Sequence, residues 1–437
     1  MRHQLSGIFS VRDWKTRLIF WSGALAVGVT AALFATASSR MMDLHARVVA
    51  RSPWWSLLLS PLVMVAVVFC TRRLFPGTEG SGIPQAIAAL RSENAGDRRR
   101  LLSLRIAAGK LLLTLMGFLG GASIGREGPT VHIGASIMYS LGRFTQFPRH
   151  YVRHGLIMVG GAAGIAAAFN TPVAGIIFAI EEMARFYEER ATGLLLVAVI
   201  IAGLAALAML GNYTYFGESS ASLTGLHSWI AVPMCGAIGG LLGGAFSRVL
   251  LEGMKRLRPA MARHWLAIAT VCGLVIAVIG LLSDGSSYGT GYEQARQILQ
   301  GQASTDWTFP FYKIGATISS YLSGAPGGIF SPSLSIGAGL GGDLAGLMPY
   351  VPVSAVVLLG MVGYFTGVVQ TPLTASVIVM EMVDDRSMVF PVITTAFLAL
   401  GVSKLICRQP IYWALADEFL AGKPEGSGRT RRPKQAQ

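Results

Sequence analysis

Gly125-Arg-Glu-Gly-Pro-Thr-Val-His-Ile-Gly-Ala135 and Gly328-Ile-Phe-Ser-Pro-Ser-Leu-Ser-Ile-Gly-Ala338 share one pattern, G-x-x-x-P-x-x-x-I-G-A, at an offset of 203 residues (125 to 328). Downstream, Thr171-Pro172 leads to Glu181, and Thr371-Pro372 leads to Glu381, at an offset of 200 (181 to 381). Landmarks in one order at nearly one offset define an internal repeat. In both copies glycines precede a proline and an apolar stretch follows. Proline suits the first helical turn, where its missing N–H is not needed, and glycine lets backbone approach a ligand closely. Each copy therefore reads as a loop that opens a helix N-terminus. Gly80-Ser-Gly-Ile-Pro84 is a third break of the same kind. Helix N-termini carry free N–H donors and partial positive charge, so several aimed at one point make an anion site. The plainer alternative is packing glycines and kinks, common in membrane helices. One break alone would favour it; three, two of them repeat-related, favour the anion site.

The rest of the chain sets that repeat in lipid. Of 437 residues, 52% are hydrophobic and 13% are charged, where a soluble domain carries about 25% charged. The runs 18–38, 53–70, 101–122, 192–211, 228–247, 265–282, 353–369 and 388–406 are each long or nearly long enough to cross a bilayer, which takes roughly 20 apolar residues. The first run follows Arg2, Arg12, Lys15 and Arg17 without a small-residue cleavage site, so it does not read as a removable leader. The net charge of +14 suggests loop cations that orient helices and meet anionic lipid, not a nucleic-acid partner. Cys70, Cys235, Cys272 and Cys407 are far apart and lie in or beside apolar runs; they read as packing residues, with no disulfide. His150 and His154 have helical ligand spacing, but Tyr151 stands where a metalloprotease motif needs glutamate, and Arg149 and Arg153 repel a cation. No metal or cofactor is expected.

Secondary transporters commonly consist of such repeats, with the substrate site near the midplane on broken helices. The basic clusters Arg98–Arg100 and Arg143–His154 are expected on the cytoplasmic side. Glu127 then lies where the chain re-enters from outside, and Glu181 and Glu182 lie near the cytoplasmic face beside Arg185 and Arg190. A buried carboxylate is costly unless paired or functional. Glu127, at a positive helix start, can occupy an anion's place and leave it when protonated; the alternative is a capping acid held by the dipole and Arg126. The repeat partner of Glu127 is Phe330, and Glu182 faces Met382 while Glu181 faces Glu381. Both acids are thus specific to one half. Adjacent helix residues point about 100° apart, so Glu181 and Glu182 need not share a site.

At these motifs the sequence resembles the CLC family of chloride channels and chloride/proton exchangers. The matches are Gly80–Pro84, Gly109-Lys110, Gly125–Pro129, Ala168-Phe-Asn-Thr-Pro172, Ile180-Glu-Glu-Met183, Gly324–Pro332 and Tyr412 after Pro410. They run in family order over roughly residues 80–415. The resemblance implies an all-α polytopic membrane protein with two inverted-topology repeats around a midplane anion site. On this basis residues 1–220 form the first repeat with its N-terminal helix, 221–422 the second, and 423–437 a basic disordered tail. It also implies hydroxyl ligands from Ser81 and Tyr412, backbone N–H ligands from Ile329 and Phe330 with Gly128 near an outer position, Glu127 as external gating and proton glutamate, and Glu182 as internal proton glutamate. A homodimer in the cell inner membrane follows from the same resemblance, with chloride and protons as the ions carried. Channel members commonly lack the acid at Glu182, so exchange is favoured over a passive voltage- or pH-gated channel. Gln85 departs from the family, where many relatives have an acid. Lys110 and Arg126 are expected to add positive field along the path. An intramembrane enzyme is the reading from another class; no HExxH, GxSxG or aspartate dyad supports it.

Overall fold

The computed structural model describes residues 11–144, 149–184, 192–211, 215–217, 221–223, 225–302, 306–383 and 387–421, with backbone only at 11–13, 149–153, 192–194 and 226. Arg185, Arg190, the tail from 423 and the side chains of His150, Arg149 and Arg153 lie outside what is described.

The first half contains α1 (Val11–Arg51), α2 (Ser56–Arg73), α3 (Ile83–Arg91), α4 (Ala95–Leu101), α5 (Leu104–Leu119), α6 (Glu127–Leu141), α7 (Arg149–Phe169), α8 (Pro172–Phe178, running into a π-helical turn over Ala179–Ala184) and α9 (Thr192–Leu210). The second contains α10 (Ala231–Arg263), α11 (Trp265–Leu282), α12 (Tyr292–Leu299), α13 (Phe309–Leu322), α14 (Phe330–Ala345), α15 (Val353–Val369), α16 (Pro372–Val383) and α17 (Val389–Ile406). A last helix, α18 (Ile411–Ala421), packs back onto α3. Among the described residues six helical segments, counting Ala95–Leu119 across its break, are long and apolar enough to cross a membrane, and they take in most of the expected runs; 353–369 falls on a shorter apolar helix, and 192–211 on α9.

Two boundaries differ from the sequence expectation, each for a local reason. The 18–38 run is the apolar part of a 41-residue helix, because no proline interrupts it before Pro53 and the residue before proline disfavours the helical region. The 101–122 run is not continuous. Leu102 leaves the helical region, and the Ser103 hydroxyl accepts from the Ile106 N–H at 3.2 Å, starting α5 afresh. An N-cap serine of this kind contributes about 1 kcal/mol.

The repeat is visible in the backbone. α6 crosses α7 where Gly134 meets Gly160, and α14 crosses α15 where Gly337 meets Gly360; a Cβ at any of the four would strike the facing backbone. Lipid gives helices no hydrophobic drive to associate, so small residues that let backbones touch are the packing device. α7 and α15 both end on a left-handed residue, Asn170 (φ 58°) and Gln370 (φ 60°), immediately before Thr-Pro. The fold is an all-helical membrane architecture of two related halves, with chain breaks buried between them.

Candidate functional site

The three glycine breaks meet. Gly80 N–H donates to Ala325 C=O (3.3 Å) and Gly327 N–H to Gly80 C=O (3.1 Å); Gly125 and Gly328 exchange both bonds, at 2.6 and 2.8 Å. Non-helical backbone at membrane depth has to be buried in protein or line a cavity, and here the breaks satisfy one another. The residues around them are almost all buried. This lattice fixes where α3, α6 and α14 start.

Ser81, Glu127, Gly128, Ile329 and Phe330 all sit at these helix starts, and Tyr412 arrives from the start of α18. Each is fully or almost fully buried. The hydroxyls of Ser81 and Tyr412 neighbour each other, and neither makes a well-formed hydrogen bond among the described residues. Leaving such a group unpaired in a protein interior costs about 1–3 kcal/mol. Two together, at the convergence of three helix N-termini, are what a site for a monovalent anion needs: hydroxyl donors without full charge. Gly128 is required sterically, since a Cβ there would collide with the Ser81 hydroxyl and lie 2.9 Å from its carbonyl oxygen. The Phe330 ring packs between Phe365 and Phe169, with centroids 4.3 and 5.2 Å away, so the second half contributes an apolar wall where the first contributes an acid.

Glu127 is 0% exposed. Its Oε1 accepts from the Ser331 hydroxyl at 2.6 Å, and the carboxyl lies against the Ser331 N–H in the first turn of α14. The acid of one half thus occupies the helix N-terminus of the other. Arg126 donates to Ala35 C=O at 3.1 Å and places its charge beside Glu127.

Glu181 and Glu182 point apart, as helix geometry requires. The Glu181 carboxylate accepts from the N–H groups of Leu373 (3.2 Å) and Thr374 (2.6 Å), at the start of α16. Its repeat partner Glu381 accepts from Val173 (3.1 Å) and Ala174 (2.7 Å), at the start of α8. Each half caps a helix of the other. Glu182 instead is buried at 1% exposure, its carbonyl held by the Trp413 indole at 2.9 Å. Tyr412, one residue earlier, lies within electrostatic reach of both Glu182 and Glu127.

Lys110 is buried and donates to the carbonyls of Gly80 (3.0 Å) and Glu79 (3.4 Å). Its charge therefore backs the Ser81 loop instead of lining an open path. Gln85 donates to Glu79 C=O at 2.6 Å, a bond an ionised acid there could not make. The sequence reading missed the second-half counterpart: Lys313, 203 residues after Lys110, donates to the carbonyls of Ser287, Tyr288 and Gly289 at 2.8–3.1 Å. These lie at the Gly289-Thr-Gly291 loop, whose glycines have φ 63° and 75° as Gly80 and Gly82 have 68° and 106°. Two buried lysines at the repeat offset were the available signal. All four cysteines are free, and no metal-ligand cluster occurs among the described residues.

The chain is similar to known proteins over most of its length. The family model for voltage-gated chloride channels matches residues 62–404. The chain is 29% identical to an H(+)/Cl(-) exchange transporter ClcA of Yersinia pestis bv. Antiqua, covering 93% of this chain and 89% of that one. It is 28% identical to the ClcA of Salmonella typhi, covering 83% and 78%. Among solved structures, a slow cyanobacterial Cl-/H+ antiporter superposes with a TM-score of 0.80 at 25% identity, covering 93% of this chain and 99% of that one. A CLC-type fluoride/proton antiporter superposes at 0.75 with 23% identity, covering 91% and 97%, which speaks to the fold alone.

Proposed function

The chain belongs to the voltage-gated chloride channel family, and on that premise we propose that it exchanges chloride for protons as a secondary transporter of the cell inner membrane. The observation that carries this is the Glu127 carboxyl bonded to Ser331 at the start of α14. An acid that fills an anion's place at a helix N-terminus couples the two ions. Ionised, it closes the outer end of the path. Protonated, it loses its hold on the N–H groups and the hydroxyl, and an anion can replace it. The central position belongs to Ser81 and Tyr412, with backbone N–H groups of Ile329 and Phe330, and Gly128 serves an outer position. Protons reach Glu127 from Glu182, which is buried within electrostatic reach of Tyr412. Relatives named as exchangers or antiporters favour this over a passive channel. The repeats divide near residue 220, and a homodimer with one pathway per subunit is the assembly we assign.

Glu127→Gln should abolish proton movement while chloride flux persists, because a neutral amide cannot take up or release the proton. Purified protein in liposomes, with chloride efflux and external pH recorded together, tests it. Proton pumping retained in that variant removes the mechanism.

A further inference from the structure

A cavity of about 560 Å³ lies behind the Ser81 loop, with Arg72, Arg100, Arg258, Glu79 and Glu418 in its wall. Arg100 belongs to the basic segment expected on the cytoplasmic side, so the cavity is on the inner side of the site. It reaches Gly80, Tyr321 and Gly324, and therefore ends on the loop that presents Ser81. Its arginines favour anions, but Glu79 and Glu418 offset part of that field. Lys110 is turned to the carbonyls of Glu79 and Gly80.

Tyr321 stands at that end. It lies in the last turn of α13, and its ring is buried. A Cβ built on Gly80 would lie 3.0 Å from its hydroxyl, which also lies against the Ser81 N–H and within electrostatic reach of Tyr412. A phenol oxygen beside an amide N–H serves as acceptor and leaves its own proton for another acceptor, and hydrogen bonds in such a chain strengthen one another.

We propose that Tyr321 supplies a third hydroxyl to the anion path, on the cytoplasmic side of Ser81 and Tyr412, donating to the anion as it sheds water between the cavity and the central position. The inference rests on the Ser81/Tyr412 assignment made above. A neutral donor suits this place, since binding has to be strong enough to admit the ion and weak enough to release it.

Tyr321→Phe keeps the ring and removes the donor. In planar bilayers with chloride varied separately on each side, this variant should need roughly three- to tenfold more cytoplasmic chloride for half-maximal transport, the size expected of one hydrogen bond. The outer-side dependence and the proton-to-chloride ratio should stay as in the wild type. An unchanged cytoplasmic dependence, or an equal shift on both sides, overturns the inference. Ser81→Ala separates the two levels: if it weakens chloride binding while Tyr321→Phe does not, only the third hydroxyl falls. Wild-type binding in Ser81→Ala takes down the central site and Tyr321 with it.

Discussion

Glu127 and Ser331 join the two halves of the site. Their 2.6 Å bond belongs to a class, hydroxyl to charged acceptor, that contributes about 1.5–3 kcal/mol. Removing it in Ser331→Ala makes the ionised carboxylate easier to displace and leaves protonated Glu127 little changed. Chloride turnover near pH 7.5 should therefore rise several-fold, and the ratio of the pH 5 rate to the pH 7.5 rate should shrink. Initial efflux rates at the two pH values check this, and an undiminished ratio contradicts it. Ser331 itself could not be picked out in advance. The acid was legible because glycine and proline punctuate the sequence locally, whereas its partner is 204 residues away and stands at the repeat equivalent of Gly128. The Ser81 loop was legible for the same reason as Glu127. Its second-half counterpart at Gly289 was not, since Glu293 stands where Pro84 would mark a helix start.

Between elements, the swapped caps separate two neighbouring acids that the sequence shows only as a pair. Glu181 holds the start of α16 and Glu381 the start of α8, and these two helices pack on each other. A side-chain cap is worth about 0.5–2 kcal/mol, with a further contribution from negative charge at the helix dipole. Glu181→Gln should lower the melting temperature and keep proton coupling; Glu182→Gln should do the reverse, losing protons while chloride flux and melting temperature hold. Thermal unfolding in detergent beside the liposome assay distinguishes them, and loss of coupling in Glu181→Gln would mean that the pair acts as one site. Combining Glu181→Gln with Glu381→Gln should cost less than the two single losses added, because both changes weaken one interface. The repeat predicted that Glu181 and Glu381 correspond. It could not predict the exchange between halves, which depends on how the halves are docked.

At the scale of the whole molecule, inversion of one half against the other brings three helix starts to one point and leaves the two halves chemically unequal there. Phe330 offers an apolar ring where Glu127 offers a carboxyl group, and Met382 stands where Glu182 does. A symmetric site would bind an anion equally well, but it would have no titratable group in the path. In the proposed mechanism this asymmetry is the source of coupling, and it fixes how the reversal potential should respond to gradients. If each chloride moves only against proton movement, the potential of zero current depends on both the chloride and the proton gradient. Imposing a tenfold proton gradient at fixed chloride should displace that potential, and Glu127→Gln or Glu182→Gln should return it to the chloride equilibrium value. A passive pore of the same fold would sit at the chloride value in the wild type as well. A wild-type reversal potential indifferent to pH would leave the anion site standing and reduce Glu127 to a gate.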